Sequence, residues 1–439
     1  MASNKYCVIM AGGIGSRFWP KSRQSMPKQF LDILGTGKSF IRHTYERFAR
    51  IIPPENFLVV TNNSYKEQVL RHIPEIGERQ VLGEPVGRNT APCIAYAAWR
   101  LKTVNPDATM IVTPADHLIL NEDEFRRAIV EAAEFAENRR AMMTIGIRPN
   151  RPDTGYGYIQ VDNRSETDGS PIFKVKTFTE KPNLELARTF VESGEFFWNS
   201  GIFIWKTETI LENFSAFLPD LQQTFGSIGA YYNTPQEQQH IERIYPECRN
   251  VSIDFGVMEK AHDVYVRCSD FGWSDIGTWG SLYQHSPKDE KGNVESRFCM
   301  LYDTEGCIVK TDTDKLTVIE GLKDYIVVDH KDVLMICPKA NEQNIKKFIR
   351  RHEIQDRGRI HLKTTETGRS FTERRPENAE SQPETTSWNF TTYIANSRAS
   401  RPIAGRSSRE EFSLRCTGKR STATAMRRRR SERERRRRS

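Results

Sequence analysis

Val8-Ile9-Met10-Ala11-Gly12-Gly13-Ile14-Gly15-Ser16-Arg17-Phe18-Trp19-Pro20 reads as an apolar strand that ends in three glycines within four residues. Glycine lets a backbone turn sharply and present its N–H groups to an anion. A strand delivering such a turn is how open α/β sheets build phosphate sites. The run is not GxxxxGK[ST], so it is not a P-loop. It is not GxGxxG either, because reading from Gly13 the last glycine position is Phe18. Arg17 follows at once, and Lys28 comes 11 residues later in Met26-Pro27-Lys28-Gln29-Phe30. Two cations beside a glycine turn suit a triphosphate. A tight strand-to-helix turn with surface charges fits the same residues.

Working outward, short apolar runs alternate with amphipathic stretches from residue 5 to about 285. Strands are expected at Tyr6–Met10, Phe57–Thr61, Met110–Thr113, Met143–Ile147, Phe173–Thr179 and Gly201–Trp205. Helices are expected at Phe40–Ile51, Tyr65–His72, Thr90–Val104, Glu122–Asn138 and Leu184–Ser193. The alternation predicts a Rossmann-like α/β domain with a mixed, mostly parallel sheet, its sites at the carboxyl ends of the strands. From about 290 to 340 the texture turns to short β-rich pieces punctuated by Gly292, Gly306 and Gly321, with Asn341–His352 helical. This predicts three parts: an α/β domain over 1–287, a small β module with a terminal helix over 288–362, and a tail over 363–439.

The tail is rich in Ser, Thr, Arg, Glu and Pro and ends MRRRRSERERRRRS, which predicts disorder. Residues 364–439 hold 18 Arg and one Lys against nine Glu, a balance of +10, which leaves −2 for the other 363 residues and gives the net +8. The basic balance therefore belongs to the tail. It argues at most for non-specific nucleic-acid binding there. No run of 18 apolar residues exists, so no membrane partner is expected. The N-terminal apolar run is too short for a signal segment, which predicts a cytoplasmic protein. Cys7, Cys93, Cys248, Cys268, Cys299, Cys307, Cys337 and Cys416 form no CxxC pair or zinc pattern and read as free thiols.

Other polar positions stand where an α/β sheet would place a site. Glu84-Pro85-Val86-Gly87-Arg88-Asn89-Thr90 precedes a helix, and a Glu can accept from the N1–H and N2–H groups of guanine. Asn89 or Thr90 alternatively caps the helix. Asp116 follows a buried strand, and Asp275 sits in Gly272-Trp273-Ser274-Asp275. Two carboxylates distant in sequence can converge on Mg²⁺, or each can serve a turn. His117 reads as a structural hydrogen-bonder. No Ser-His-Asp or Cys-His arrangement stands out.

These residues resemble a family. GGIGSRFWPKSRQSMPKQF over 12–30 is similar to the signature of sugar-phosphate nucleotidyltransferases, in their mannose-1-phosphate guanylyltransferase branch. GEPVGRNTAPCIAYAA, TPADHLI, TGYGYI, FTEKP, WNSGIFIW, SIDFGVMEKA and GWSDIGTW follow in the family's order, over roughly residues 5–350. The resemblance implies transfer of GMP from GTP to mannose 1-phosphate with Mg²⁺, by direct in-line attack. It implies that Gly12, Gly13, Gly15 and Arg17 hold the triphosphate with Lys28 beside them, and that Glu84, Gly87, Arg88, Asn89 and Thr90 lie at the base and ribose. It implies Asp116 and Asp275 for the metal. It gives Glu180 and Asn199 to the hexose, Lys181 to its phosphate and Gly155 to the sugar pocket. Arg17, Lys28 and Lys181 are the catalytic candidates. The β module resembles a small β-helix-like unit that often mediates dimer contacts, so a homodimer is expected. No His/Glu cluster of a cupin-type isomerase follows. Three alternatives stay open: the same fold on another nucleotide and hexose 1-phosphate, a silent regulatory subunit, and a function carried by the tail.

Overall fold

The computed structural model describes residues 4–162, 169–311 and 315–352. The tail expected over 363–439, with Cys416, lies outside the described residues. In chain order the elements are β1 (Lys5–Met10), α1 (Phe40–Phe48), β2 (Phe57–Asn62), α2 (Lys66–His72), β3 (Val81–Glu84), α3 (Thr90–Val104), β4 (Thr109–Pro114), β5 (Leu118–Ile119), α4 (Glu122–Asn138), β6 (Met142–Ile147), β7 (Tyr158–Val161) and β8 (Ile172–Thr179). There follow α5 (Leu184–Ser193), β9 (Phe196–Lys206), α6 (Thr207–Phe217), α7 (Pro219–Gly226), α8 (Glu237–Ile244), β10 (Val264–Ser269), β11 (Trp273–Ser274) and α9 (Trp279–His285). The last strands are β12 (Cys299–Tyr302), β13 (Ile308–Thr311), β14 (Thr317–Glu320), β15 (Tyr325–His330) and β16 (Val333–Pro338).

Nine strands form one sheet in the order β3-β2-β1-β4-β9-β6-β10-β8-β7, with β7 also paired to β9. The α/β expectation holds, and the sheet is mixed. Its parallel character is confined to β3-β2-β1-β4 and to β6 with β10. β9 runs antiparallel to β4, β6 and β7, and β8 runs antiparallel to β10 and β7. The expected mostly parallel sheet is therefore corrected to a half-parallel one. Residues 196–206 enter from the opposite end and split the parallel strands into two groups.

Alternation along β1 shows why the sheet is covered on both faces. Cys7 and Ile9 join one buried cluster with α1, α2 and α4, and Val8 joins another with α3, α6, α7 and α8. Burying each such Val or Ile contributes roughly 1.5–3 kcal/mol. Asn89 caps α3 and Asn121 caps α4 through their side chains, which fixes both helix starts where the sequence puts them. α1 ends three residues short of its expected end, and residues 49–51 turn before the Pro53-Pro54 pair.

After α9 the chain coils into short strands. β12 pairs parallel with β14, β13 parallel with β15, and β16 closes antiparallel on β15. Residues 345–352 are helical. A third buried cluster joins this module to the glycine-loop segment: Phe18, Ile33 and Phe40 meet Ile276, Trp279, Ile326 and Ile345. Among the described residues no helix is long and apolar enough to cross a membrane. The seven described cysteines are all free thiols.

Candidate active site

β1 ends at Met10, and the loop after it is pinned from below. Ala11 N–H donates to Val60 O at 2.8 Å, while Thr61 Oγ1 and Gln29 Nε2 both donate to Ala11 O, at 2.9 and 2.7 Å. Above these anchors, the backbone N–H groups of Gly12, Gly13, Ile14 and Gly15 meet no acceptor among the described residues. Gly12 to Ile14 are exposed. Gly15 has φ +67°, and a Cβ there would sit 2.4 Å from Lys28 Cβ, so only glycine serves at this corner. Ser22 Oγ clamps the corner by donating to Gly15 O at 2.6 Å.

One cavity of about 360 Å³ is lined by Gly15, Ser16, Arg17, Lys28, Asp116, His117, Asp275, Gly277 and Lys346. Four of the charged residues singled out in the sequence are thus brought together. The short pairing of β5 with β11, Ser274 opposite Leu118, draws the two aspartate loops side by side. Lys28 is buried, and its ammonium joins those loops. It donates to Asp275 O at 2.6 Å and Asp116 O at 3.1 Å, and pairs with Asp116 Oδ2 at 2.9 Å. Arg17 is half-buried, and among the described residues its guanidinium has no ion-pair or hydrogen-bond partner.

Burial pushes the Asp116 carboxyl up, and the Lys28 ammonium and His117 more than offset this, leaving it below the usual carboxylate range. Asp275 Oδ1 accepts from Tyr156 OH at 2.9 Å and from Gly277 N–H at 3.0 Å. The second oxygen of each aspartate, Asp116 Oδ1 and Asp275 Oδ2, accepts from no other residue among those described. Two half-buried carboxylates with a spare oxygen each, facing a cavity with room for phosphate oxygens, fit Mg²⁺ coordination. Among the described residues no group of three or more His, Cys, Asp and Glu could hold a metal by itself. His117 Nδ1 accepts from Trp273 Nε1 at 3.1 Å, which suits the structural role expected of it.

The 84–90 segment lies at the other end of the loop. Glu84 is buried, Tyr245 OH donates to its Oε1, and its Oε2 lies 2.8 Å from where a Cβ on Gly12 would stand. Asn89, at φ 68°, accepts from Thr90 N–H, and Thr90 Oγ1 accepts from Ile253 N–H at 2.8 Å. Arg88 donates to Pro246 O, and Gly87 is exposed. Burial raises the Glu84 carboxyl to about 7, against the opposing hydrogen bond from Tyr245. The folded chain then keeps a proton that the unfolded chain has lost. Stability from this group is full below the ordinary carboxylate range and is lost as pH rises toward about 7. Glu84→Gln keeps the shape and removes the ionisation. Its unfolding free energy is expected to fall less than the wild type's between about pH 5 and about pH 7.5, a difference on the order of 2–3 kcal/mol that denaturant titrations at each pH would read. Parallel curves for the two proteins would refute the assignment.

A second polar cluster adjoins the cavity through Tyr156, whose ring packs on Trp198 and Trp273. Asn199 lies inside β9, a strand that begins five residues before the expected start. Its Nδ2 donates to Asp254 Oδ1 at 2.8 Å, and its Oδ1 accepts from Gly201 N–H at 3.1 Å. Glu180 is half-buried and pairs with Lys181, an exposed residue at φ 47°. A Cβ on Gly157 would sit 2.5 Å from Glu180 Oε2 and 3.6 Å from Asn199 Cβ, so Glu180 and Asn199 flank one spot. Gly155 N–H donates to Asp153 Oδ1 at 2.8 Å on an exposed turn. Burial raises the Asp254 carboxyl above the usual range, with Asn199 and the nearby Lys181 opposing.

Sequence reasoning missed Tyr156 as the Asp275 partner, Asp254 beside Asn199, Tyr245 on Glu84, and Lys346 in the cavity. Asp254 stood in the quoted Ser252–Ala261 run, where its single acidic residue ahead of Phe255 was the available signal. Nothing near Lys346 in the sequence points to the glycine loop.

Comparison with known proteins places this geometry. Residues 6–292 match the family model described as nucleotidyl transferase, and residues 299–351 match one described as a MannoseP isomerase/GMP-like beta-helix domain. A mannose-1-phosphate guanylyltransferase of Klebsiella pneumoniae is 36% identical over 345 residues, spanning 78% of this chain and 72% of that protein. One of Escherichia coli strain K12 is 37% identical over 360 residues, spanning 80% and 74%. A crystal structure described as mannose-1-phosphate geranyltransferase, from Thermus thermophilus, superimposes with a TM-score of 0.70 at 31% identity, over 80% of this chain and all of that one.

Proposed function

The chain belongs to the nucleotidyl transferase family, and we propose that it is an enzyme transferring GMP from GTP to α-D-mannose 1-phosphate, giving GDP-mannose and pyrophosphate. The observation that carries this reading is the glycine loop. Four consecutive N–H groups have no acceptor among the described residues, and the last of them, on Gly15, shares a cavity with an unpaired Arg17 and two carboxylates. That arrangement suits a polyphosphate with its cation. Relatives at 36–37% identity that bear the guanylyltransferase name support the substrate pair.

In the proposed step, an oxygen of the sugar phosphate forms a bond to the α-phosphorus of GTP. The bond from that phosphorus to the bridging oxygen breaks, and its electron pair leaves with pyrophosphate. The attacking group is already an anion, so no protein nucleophile is required. Gly12, Gly13, Gly15 and Arg17 bind the triphosphate, and Lys28 fixes the aspartate loops against it. Glu84, whose Oε2 accepts nothing among the described residues, takes the base N–H groups, with Gly87 to Thr90 along the base and ribose. Glu180 and Asn199 hold hexose hydroxyls, Lys181 the sugar phosphate, and Gly155 the turn over the sugar. Asp116 and Asp275 would hold Mg²⁺, which when bound neutralises phosphate charge. The protein acts in the cytoplasm. An outward apolar face on the module, with Met300, Tyr302, Val318 and Ile336 exposed, supports a homodimer.

The test is pyrophosphate release from the purified chain with Mg²⁺ and mannose 1-phosphate, offering GTP, ATP, UTP and dTTP separately. Release with GTP alone is the expected result, from a protein whose light-scattering mass is twice that of the chain. Release with another nucleotide overturns the reading of Glu84 to Thr90. No release with any of them overturns the proposal.

A further inference from the structure

Lys346 comes from the last helix of the β module, yet it lines the same cavity as Arg17, Lys28, Asp116 and Asp275. Its placement is enforced by the residue before it. Ile345 is 1% exposed in the buried cluster that also contains Phe18 and Ile276. Each of these three apolar residues is the chain neighbour of a charged cavity residue: Ile345 of Lys346, Phe18 of Arg17, Ile276 of Asp275. One packing event therefore sets three charges around one space. The helix is held further by Glu342, whose Oε2 accepts from Gly280 N–H at 2.9 Å, and by His352 edge-on to Trp19 at 6.0 Å.

The cavity's cations are not equivalent. Lys28 commits its ammonium to Asp116 and Asp275. Lys346 is exposed and, like Arg17, has no partner among the described residues. A free ammonium and a free guanidinium lining one cavity of about 360 Å³ attract an anion of high charge density. The loop also has a direction. Glu84 lies at its Gly12 end, whereas Lys346 shares the cavity with Gly15, Ser16 and Arg17. With the base at the Glu84 end, the terminal phosphates fall at the Lys346 end. We infer that Lys346 binds the β- and γ-phosphates of the nucleotide and holds the departing pyrophosphate, so that the β module contributes directly to the active site. This rests on the proposed nucleotidyl transfer.

The probe is inorganic pyrophosphate. Lys346→Gln is expected to weaken its binding by about tenfold or more in calorimetry with Mg²⁺, the scale of losing one charge-assisted hydrogen bond. In turnover the KM for GTP, and for pyrophosphate in the reverse direction, rises similarly, while the KM for mannose 1-phosphate holds within about twofold. Lys346→Arg restores most of the affinity. Lys347→Gln, one residue away and outside the cavity, leaves all three constants unchanged. Lys346 is exposed, so the melting temperature of the variant stays at the wild-type value. Pyrophosphate affinity within about twofold of wild type overturns the inference, as does a rise confined to mannose 1-phosphate. If pyrophosphate binding depends on Lys346 but no nucleotide is turned over, the phosphate contact stands, while its part in product departure fails together with the reaction proposed above.

Discussion

Lys28→Ala is expected to lower pyrophosphate release by at least ~10²-fold, the scale of removing one preorganised electrostatic contact. The ammonium is buried and makes three contacts, to two backbone carbonyls and one carboxylate, on loops 159 residues apart in sequence. Without it, two carbonyls and Asp116 Oδ2 lose their partner, and breaking a buried pair this way costs about 3–5 kcal/mol. The alanine also opens space beneath Phe18 and Phe40, whose rings lie 5.7 and 5.1 Å from the ammonium. Stability and rate would then fall together, so Lys28→Met is the sharper variant. It keeps the stem packed against Phe18 and Phe40, so it removes the charge and its three donor contacts without the added cavity. The expected signature is a rate loss of the same order, with a half-saturating Mg²⁺ concentration raised several-fold because the aspartates lose the group that orients them. A folded Lys28→Met protein turning over within tenfold of wild type, at an unchanged Mg²⁺ requirement, would show that the clasp is dispensable.

How far the sequence announced this clasp is instructive. Lys28 was legible as a cation near the glycine turn, because turn and charge are local. That it is buried and committed to Asp116 and Asp275 was not legible. The contact depends on β5 and β11, two-residue strands too short to show any alternation. Helices α3, α4 and α5 matched their expected bounds, since Asn89, Asn121 and Asn183 cap them within the local sequence. The extent of antiparallel pairing escaped notice because direction is a property of pairing, and a buried strand reads alike either way. Asn199 shows the consequence. Expected just before a strand, it lies within β9, opposite Gly146, where the register shifts. Lys346 is the extreme case, since only long-range packing through Ile345 brings it to the loop.

Asp275→Asn is expected to lower turnover by at least ~10²-fold while leaving the fold intact. Asparagine keeps an Oδ1 that accepts from Tyr156 OH and Gly277 N–H, the two bonds that aim the wild-type side chain. What disappears is the negative charge on the oxygen facing the cavity, and hard divalent cations depend on such charge. The control is Tyr156→Phe, which removes one neutral-donor bond to the same carboxylate and leaves the charge. A single hydrogen bond of this kind contributes about 0.5–1.5 kcal/mol, or up to about 3 kcal/mol with a charged partner, so the loss should stay well below that of Asp275→Asn. The ordering of the two variants is therefore diagnostic. If charge at Asp275 is what the reaction needs, Asp275→Asn is the slower enzyme, and raising Mg²⁺ recovers part of its rate. If Asp275 serves only to hold Tyr156 and the turn, Asp275→Asn runs near the wild-type rate, and Tyr156→Phe is the more damaged of the two. That second ordering would remove Asp275 from the metal site and leave Asp116 to carry it alone.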